Sequence, residues 1–253
     1  MSQQANNSRL LAVMNSTIGL KLAMATTGFV LVGFVVAHMV GNLQIYLGPT
    51  VFNDYAQMMQ STKLVWVLRL IMLGAIAGHV ASGARLTLRN AESRENEYEA
   101  SLRSQTSSAA GKLMMHTGII LLIFILVHLG HFTLGLVQPE NFHFQEMLQG
   151  NLWVPVPEGF DTSTLAATEL RHDAFAMFVR GFSSPAMALF YIICNCAVMF
   201  HLYHAVASMF ATLGLSNRDT RGLFKLVGIK IAVLVLLGNI SFPIAVQLGF
   251  VHL

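Results

Sequence analysis

Charge is what this chain has least of. Asp, Glu, Lys and Arg make up 11% of its 253 residues, where a soluble domain carries about 25%. That deficit excludes an ordinary water-soluble globule. Acids are absent where it matters most: all twelve lie outside the long apolar runs, which excludes a carboxylate relay through a membrane core. The two cysteines, Cys194 and Cys196, are two apart and point to different faces of a helix. A local disulfide or metal clip is thereby excluded, and small apolar fillers remain. Of six prolines only Pro185 and Pro243 fall in apolar runs, and they form no symmetric pair. The interrupted half-helices of a transporter, with histidines in a substrate or proton path, are therefore disfavoured. The start of the chain, Ser2 to Ser8, is polar, and the first apolar run is too long for a signal h-region and has no cleavage site after it. The first helix is expected to be retained.

What the chain does have is apolar length. Hydrophobic residues make up 55% of it, and a helix needs about 20 of them in a row to cross the hydrocarbon. Five runs qualify: 18–46, 64–89, 113–137, 184–213 and 222–251. The expected fold is an all-α membrane protein, a single five-transmembrane-helix bundle in the lipid bilayer. Eleven of fifteen basic residues fall before or opening helix one, between helices two and three, or between helices four and five and opening helix five. By the positive-inside rule the N-terminus is cytoplasmic and the C-terminus outside. The net charge of +3 follows from that asymmetry and does not point to nucleic acid. The charged 90–112 loop offers a cytoplasmic docking face for a soluble partner. The outer 138–183 segment carries Phe142, Phe144, Trp153 and Phe160 with Pro139, Pro155 and Pro157, which predicts an interfacial cap rather than a sixth span.

Four histidines sit inside four of these runs: His38, His79, His128 and His201. One ionisable group in hydrocarbon is more often a hydrogen-bonded packing residue than a ligand. Four at matched depth are not. His38 is 17 residues from Lys21, and His128 is 16 from Lys112, about 24–26 Å from the inner edge at about 1.5 Å per residue. His79 is 16 residues from Lys63, and His201 is 16 from Pro185, both counted from the outer edge. Helices one and three thus supply an outer pair and helices two and four an inner pair. Paired axial imidazoles at two depths are what two electron-transferring b-type haems need. Glycines nearby, Gly74 and Gly78 among them, fit close helix packing as well as room for a macrocycle. His131 and His204 lie three residues beyond His128 and His201 and share their faces, so by spacing either could ligate instead. His143, His172 and His252 fall at the outer side or in loops, where a surface role is the default. His116 and His128 are twelve apart on one run with no second run like it, unlike the haem bundle of cytochrome bc complexes.

The stretches Ser16-Thr17-Ile18-Gly19-Leu20-Lys21, Val36-Ala37-His38-Met39-Val40-Gly41-Asn42, Val127-His128-Leu129 and Ser183-Ser184-Pro185-Ala186-Met187 with Phe200-His201 and Leu213-Gly214-Leu215 resemble a family. It is the five-helix, di-haem cytochrome b subunit of succinate dehydrogenase and fumarate reductase, the b558 type, and the likeness runs over all five helices. The resemblance implies His128 rather than His131, and His201 rather than His204, as ligands. It implies two haem b, a flavoprotein subunit with FAD and an iron–sulfur subunit with its clusters, both docked on the cytoplasmic side of a bacterial inner membrane. It also implies a quinone, menaquinone, near the outer haem. The expected function is that of the membrane anchor of respiratory complex II in the tricarboxylic acid cycle. Dicarboxylate catalysis would lie in a partner chain; the alternatives are a quinol:fumarate reductase or the haem anchor of a hydrogenase or formate dehydrogenase. Candidate partners of the haem propionates are Arg180 and Arg69 outside and Lys21 and Arg85 inside, each able to snorkel instead. Asn53, Asp54 and Tyr55 are the quinone-site candidates. Some fumarate reductases of the family carry a glutamate just before the fourth-helix ligand; here the stretch reads Ala197-Val198-Met199-Phe200.

Overall fold

The structure, a computed structural model, describes residues 12–92 and 113–253. Arg9, Arg94, Arg103, Lys112 and nearly all of the expected 90–112 docking loop lie outside the described residues. Seven helices are described: α1 Thr17–Asn42, α2 Pro49–Ser61, α3 Leu64–Glu92, α4 Met114–Phe132, α5 Ala174–Ser183, α6 Pro185–Thr212 and α7 Arg221–Gln247. Five of them, α1 (with the 3-10 turn Leu43–Leu47), α3, α4, α6 and α7, are long and apolar enough to cross a membrane. This is a mostly helical, multi-pass membrane protein. On α3 alone, Leu64, Trp66, Val67, Leu68, Leu70, Ile71 and Leu73 are exposed, far more apolar surface than a soluble monomer shows; lipid is its natural solvent.

Two expectations need correcting. The chain is not all-α: the 138–183 segment holds a three-stranded antiparallel sheet, β1 Gln145–Gln149, β2 Leu152–Pro155 and β3 Leu170–His172, in the order β2-β1-β3. And the third span stops at Phe132, not 137. Composition stays apolar past that point, but Gly135 takes φ +64 and the Gly130 carbonyl accepts both Leu136 N–H (2.7 Å) and Val137 N–H (3.2 Å), which turns the chain out of the helix. At the end of α6, Gly214 at φ +74 supports paired bonds, Leu215 N–H to Phe210 O at 3.0 Å and Gly214 N–H to Ala211 O at 3.2 Å, the pattern of a Schellman stop.

Contacts within the chain gather into two compact units. Among the described residues, the first gathers 12–36, 68–92, 113–119 and 197–234. Within it Val206 and Ala232 are almost wholly buried. A Cβ at Gly228 would lie 3.3 Å from Val206 Cβ, so α6 and α7 pack at small-residue distance there. The rings of Phe210 and Phe224 stack 4.2 Å apart.

The second unit gathers Ala37–Val67, Ile120–Cys196 and Val235–Leu253. Its core is Ile45, Phe52, Phe175, Phe178, Val179, Phe182, Tyr191 and Phe242 with smaller neighbours. The short helix α5 is what closes it. Asp173 caps it, its carboxylate accepting Ala176 N–H at 2.9 Å, and seven of its ten residues are buried. Ser184 is extended because proline at the next position disfavours a helical residue before it; Pro185 then opens α6. In the same unit Asn239 donates to Asn195 Oδ1 at 3.0 Å, and Asn195 donates to Tyr191 O at 2.8 Å, a polar link between α7 and α6.

Candidate haem sites

The first unit brings together His79 of α3 and His201 of α6, with ring centroids 6.3 Å apart and planes at 66°. Each ring is held by its Nδ1. His79 Nδ1 lies 3.1 Å from the Met24 carbonyl and 3.3 Å from Thr27 Oγ1. A carbonyl can only accept, so the Nδ1 carries the proton and the Nε2 keeps its lone pair. His201 Nδ1 lies 3.0 Å from Thr117 Oγ1. A Cβ at Gly28 would sit 3.4 Å from His79 Cε1, and one at Gly118 3.7 Å from His201 Cε1, so neither glycine crowds the ring edge beside Nε2.

The second unit brings together His38 of α1 and His128 of α4, at 5.7 Å and 87°. Phe124 and Phe132 flank His128 at 5.8 Å each, and Tyr191 at 6.0 Å. A directed chain of bonds orients it. Gln138 Oε1, an acceptor, lies 2.9 Å from His131 Nε2, which puts the His131 proton there. Its Nδ1 must then accept from the Tyr191 hydroxyl at 3.1 Å. The Tyr191 oxygen is left to accept from His128 Nδ1 at 3.4 Å, which again frees Nε2 for a metal.

His131 is 2% exposed and both its nitrogens are engaged, so it is built into the fold. His204 is half-buried on α6 and His116 exposed in the first turn of α4. Among the propionate candidates, Lys21, Arg69, Arg85 and Arg180 are all exposed. Arg85 donates to Asn15 Oδ1 at 3.0 Å. Arg180 lines a pocket of about 290 Å³ with Ser183 and His252, its guanidinium 5.9 Å from the Phe144 ring centroid.

The quinone candidates separate. Asn53 is fully buried: its amide donates to Glu146 (3.1 Å) and Asp173 (2.9 Å) and accepts Phe175 N–H at 2.8 Å. Through these bonds it ties α2 to the cap. Asp54 is exposed and pairs with Arg171. Tyr55 lies against α1, where a Cβ at Gly41 would come within 2.6 Å of its hydroxyl.

Can these pairs hold a haem? Two imidazoles bound to one metal at about 2 Å each have centroids about 6 Å apart, which 6.3 and 5.7 Å bracket. Among the described residues no group of three or more His, Cys, Asp or Glu could hold a metal. Two-donor sites suit a macrocycle that brings its own nitrogens. Thr27, Thr117, Tyr191 and Gln138 were not singled out from sequence. One signal for the threonines was there: Thr27-Gly28 and Thr117-Gly118 each precede a histidine, His38 or His128, by the same eleven residues.

No protein-family model, no curated protein and no solved structure matches this chain.

Proposed function

We propose that the chain is the di-haem cytochrome b membrane anchor of a succinate:quinone oxidoreductase, working with a flavoprotein and an iron–sulfur subunit. One observation carries the haem part of this reading: two histidine pairs, each drawn from two apolar helices, with ring spacings of 5.7 and 6.3 Å. His79 and His201 would hold one haem b, and His38 and His128 the other. When bound, the haems would supply one-electron transfer between the partner's iron–sulfur clusters and quinone in the membrane. The protein's own part is to hold His79, His128 and His201 through Nδ1, to bring His38 beside His128, and to exclude water with apolar helices. It also surrounds each iron with a medium that sets its potential. No acid lies in the five apolar runs, Glu92 being the terminal residue of α3, so quinone protons would exchange at the outer surface, where Asn53, Asp54 and Tyr55 are the candidates. The choice of succinate and menaquinone rests on the sequence resemblance.

The test is a haem-to-protein ratio with a reduced-minus-oxidised spectrum on the purified chain. Two haem b are expected. His79→Ala or His201→Ala should remove one, and His38→Ala or His128→Ala the other. Co-purification of a flavin-bearing chain supports the complex II assignment; partners without flavin would favour the anchor of another oxidoreductase.

A further inference from the structure

Thr27 and Thr117 act alike on the two histidines of the first unit. A threonine hydroxyl inside a helix turns its proton back to a carbonyl one turn earlier. Thr27 does so to Ala23 O at 2.7 Å, and Thr117 to Leu113 O at 3.1 Å. With its proton spent, each hydroxyl oxygen faces the imidazole as an acceptor. His79 and His201 must then present Nδ1–H to it, and Nε2 is left as the only metal-binding nitrogen. Thr117 is 8% exposed, a buried polar side chain whose oxygen is satisfied through this contact.

We propose that Thr27 and Thr117 are positioning residues of the His79–His201 site, and that their weights differ. The inference rests on the haem reading above. His79 Nδ1 has a second acceptor in the Met24 carbonyl at 3.1 Å, whereas His201 Nδ1 is held by the Thr117 hydroxyl. A hydrogen bond accepted from Nδ1–H makes the imidazole a stronger donor and favours ferric iron. Losing it raises the potential and loosens the haem. Thr117→Val should therefore act strongly and Thr27→Val weakly, in the same direction.

The experiment uses the full-length, haem-loaded protein. His79→Ala first identifies which spectral component belongs to this site. Then the midpoint potential, the low-spin EPR signal and the rate of haem loss to excess apo-globin are compared in T27V, T117V and T117S. T117V is expected to raise the potential of this haem alone, to shift its EPR line and to speed haem loss about tenfold or more. T117S, which keeps the hydroxyl, should restore all three, and T27V should move them less. Unchanged potential and EPR in T117V overturn the proposal, as does a T117S that behaves like T117V. If T117V retains no haem, T117S decides: recovery sustains the proposal and continued loss sinks it. Wild-type protein that takes up no haem would bring down the functional reading itself; haem uptake with indifferent threonines brings down this inference alone.

Discussion

His128 and His131 share a helix face three residues apart, yet they have different surroundings. His131 spends both nitrogens on Tyr191 and Gln138, and Gln138 itself sits at φ 56, a left-handed position that a non-glycine residue holds only with support. On the proposed di-haem reading, His131→Ala should keep both haems but destabilise the protein by about 1–3 kcal/mol, the cost of stranding buried partners. Thermal melts in detergent would measure this against His128→Ala, which should lose a haem. A haem lost from His131→Ala with no fall in melting temperature would reverse the two roles. Sequence spacing could not separate them, because the deciding partner, Tyr191, is 60 residues from His131 and on another helix. Depth counting paired His38 with His128 and His79 with His201, since rise per residue is nearly constant in a helix. Which nitrogen each ring keeps free depends on side-chain contacts that no spacing records.

Among the elements, the 138–183 cap was the least legible. Aromatics and prolines announced an irregular surface segment, but strands of five, four and three residues are too short to show a period. Their register is pinned by a cross-strand pair, Glu146 opposite Arg171, with Arg171 Nε donating to Glu146 at 2.6 Å. Arg171 also pairs with Asp54 and lies 4.4 Å from the Trp153 ring centroid. Breaking one side of a buried pair costs about 3–5 kcal/mol, so Arg171→Ala should unfold the cap by about that much. Trp153 fluorescence in a denaturant titration would report it, and an unchanged midpoint would count against the network. The cap should respond to acid as well. Burial holds His172 below the ordinary histidine value of 6.5, though Asp173 and the Phe144 carbonyl pull it back up. The unfolded chain then binds the extra proton first, so stability falls as pH drops below about 6.5. His172→Gln should flatten that slope in melts taken across this range.

For the whole molecule, five spans could be read from apolar length alone, because hydrocarbon thickness sets one simple rule. The division into two interleaved units could not, since it depends on which contacts are dense in space. Orientation is testable with single cysteines in a Cys194→Ala, Cys196→Ala background. Asn151→Cys in the β1–β2 turn should react with an impermeant maleimide on intact cells, and Asp219→Cys between α6 and α7 only after permeabilisation; the reverse pattern would invert the topology. The Asn239–Asn195 link has a consequence for biogenesis. A lone asparagine makes α7 a reluctant passenger when the translocon offers it to lipid by itself. Because α6 precedes α7 in the chain and carries the Asn195 acceptor, α7 is expected to enter lipid against α6 rather than alone.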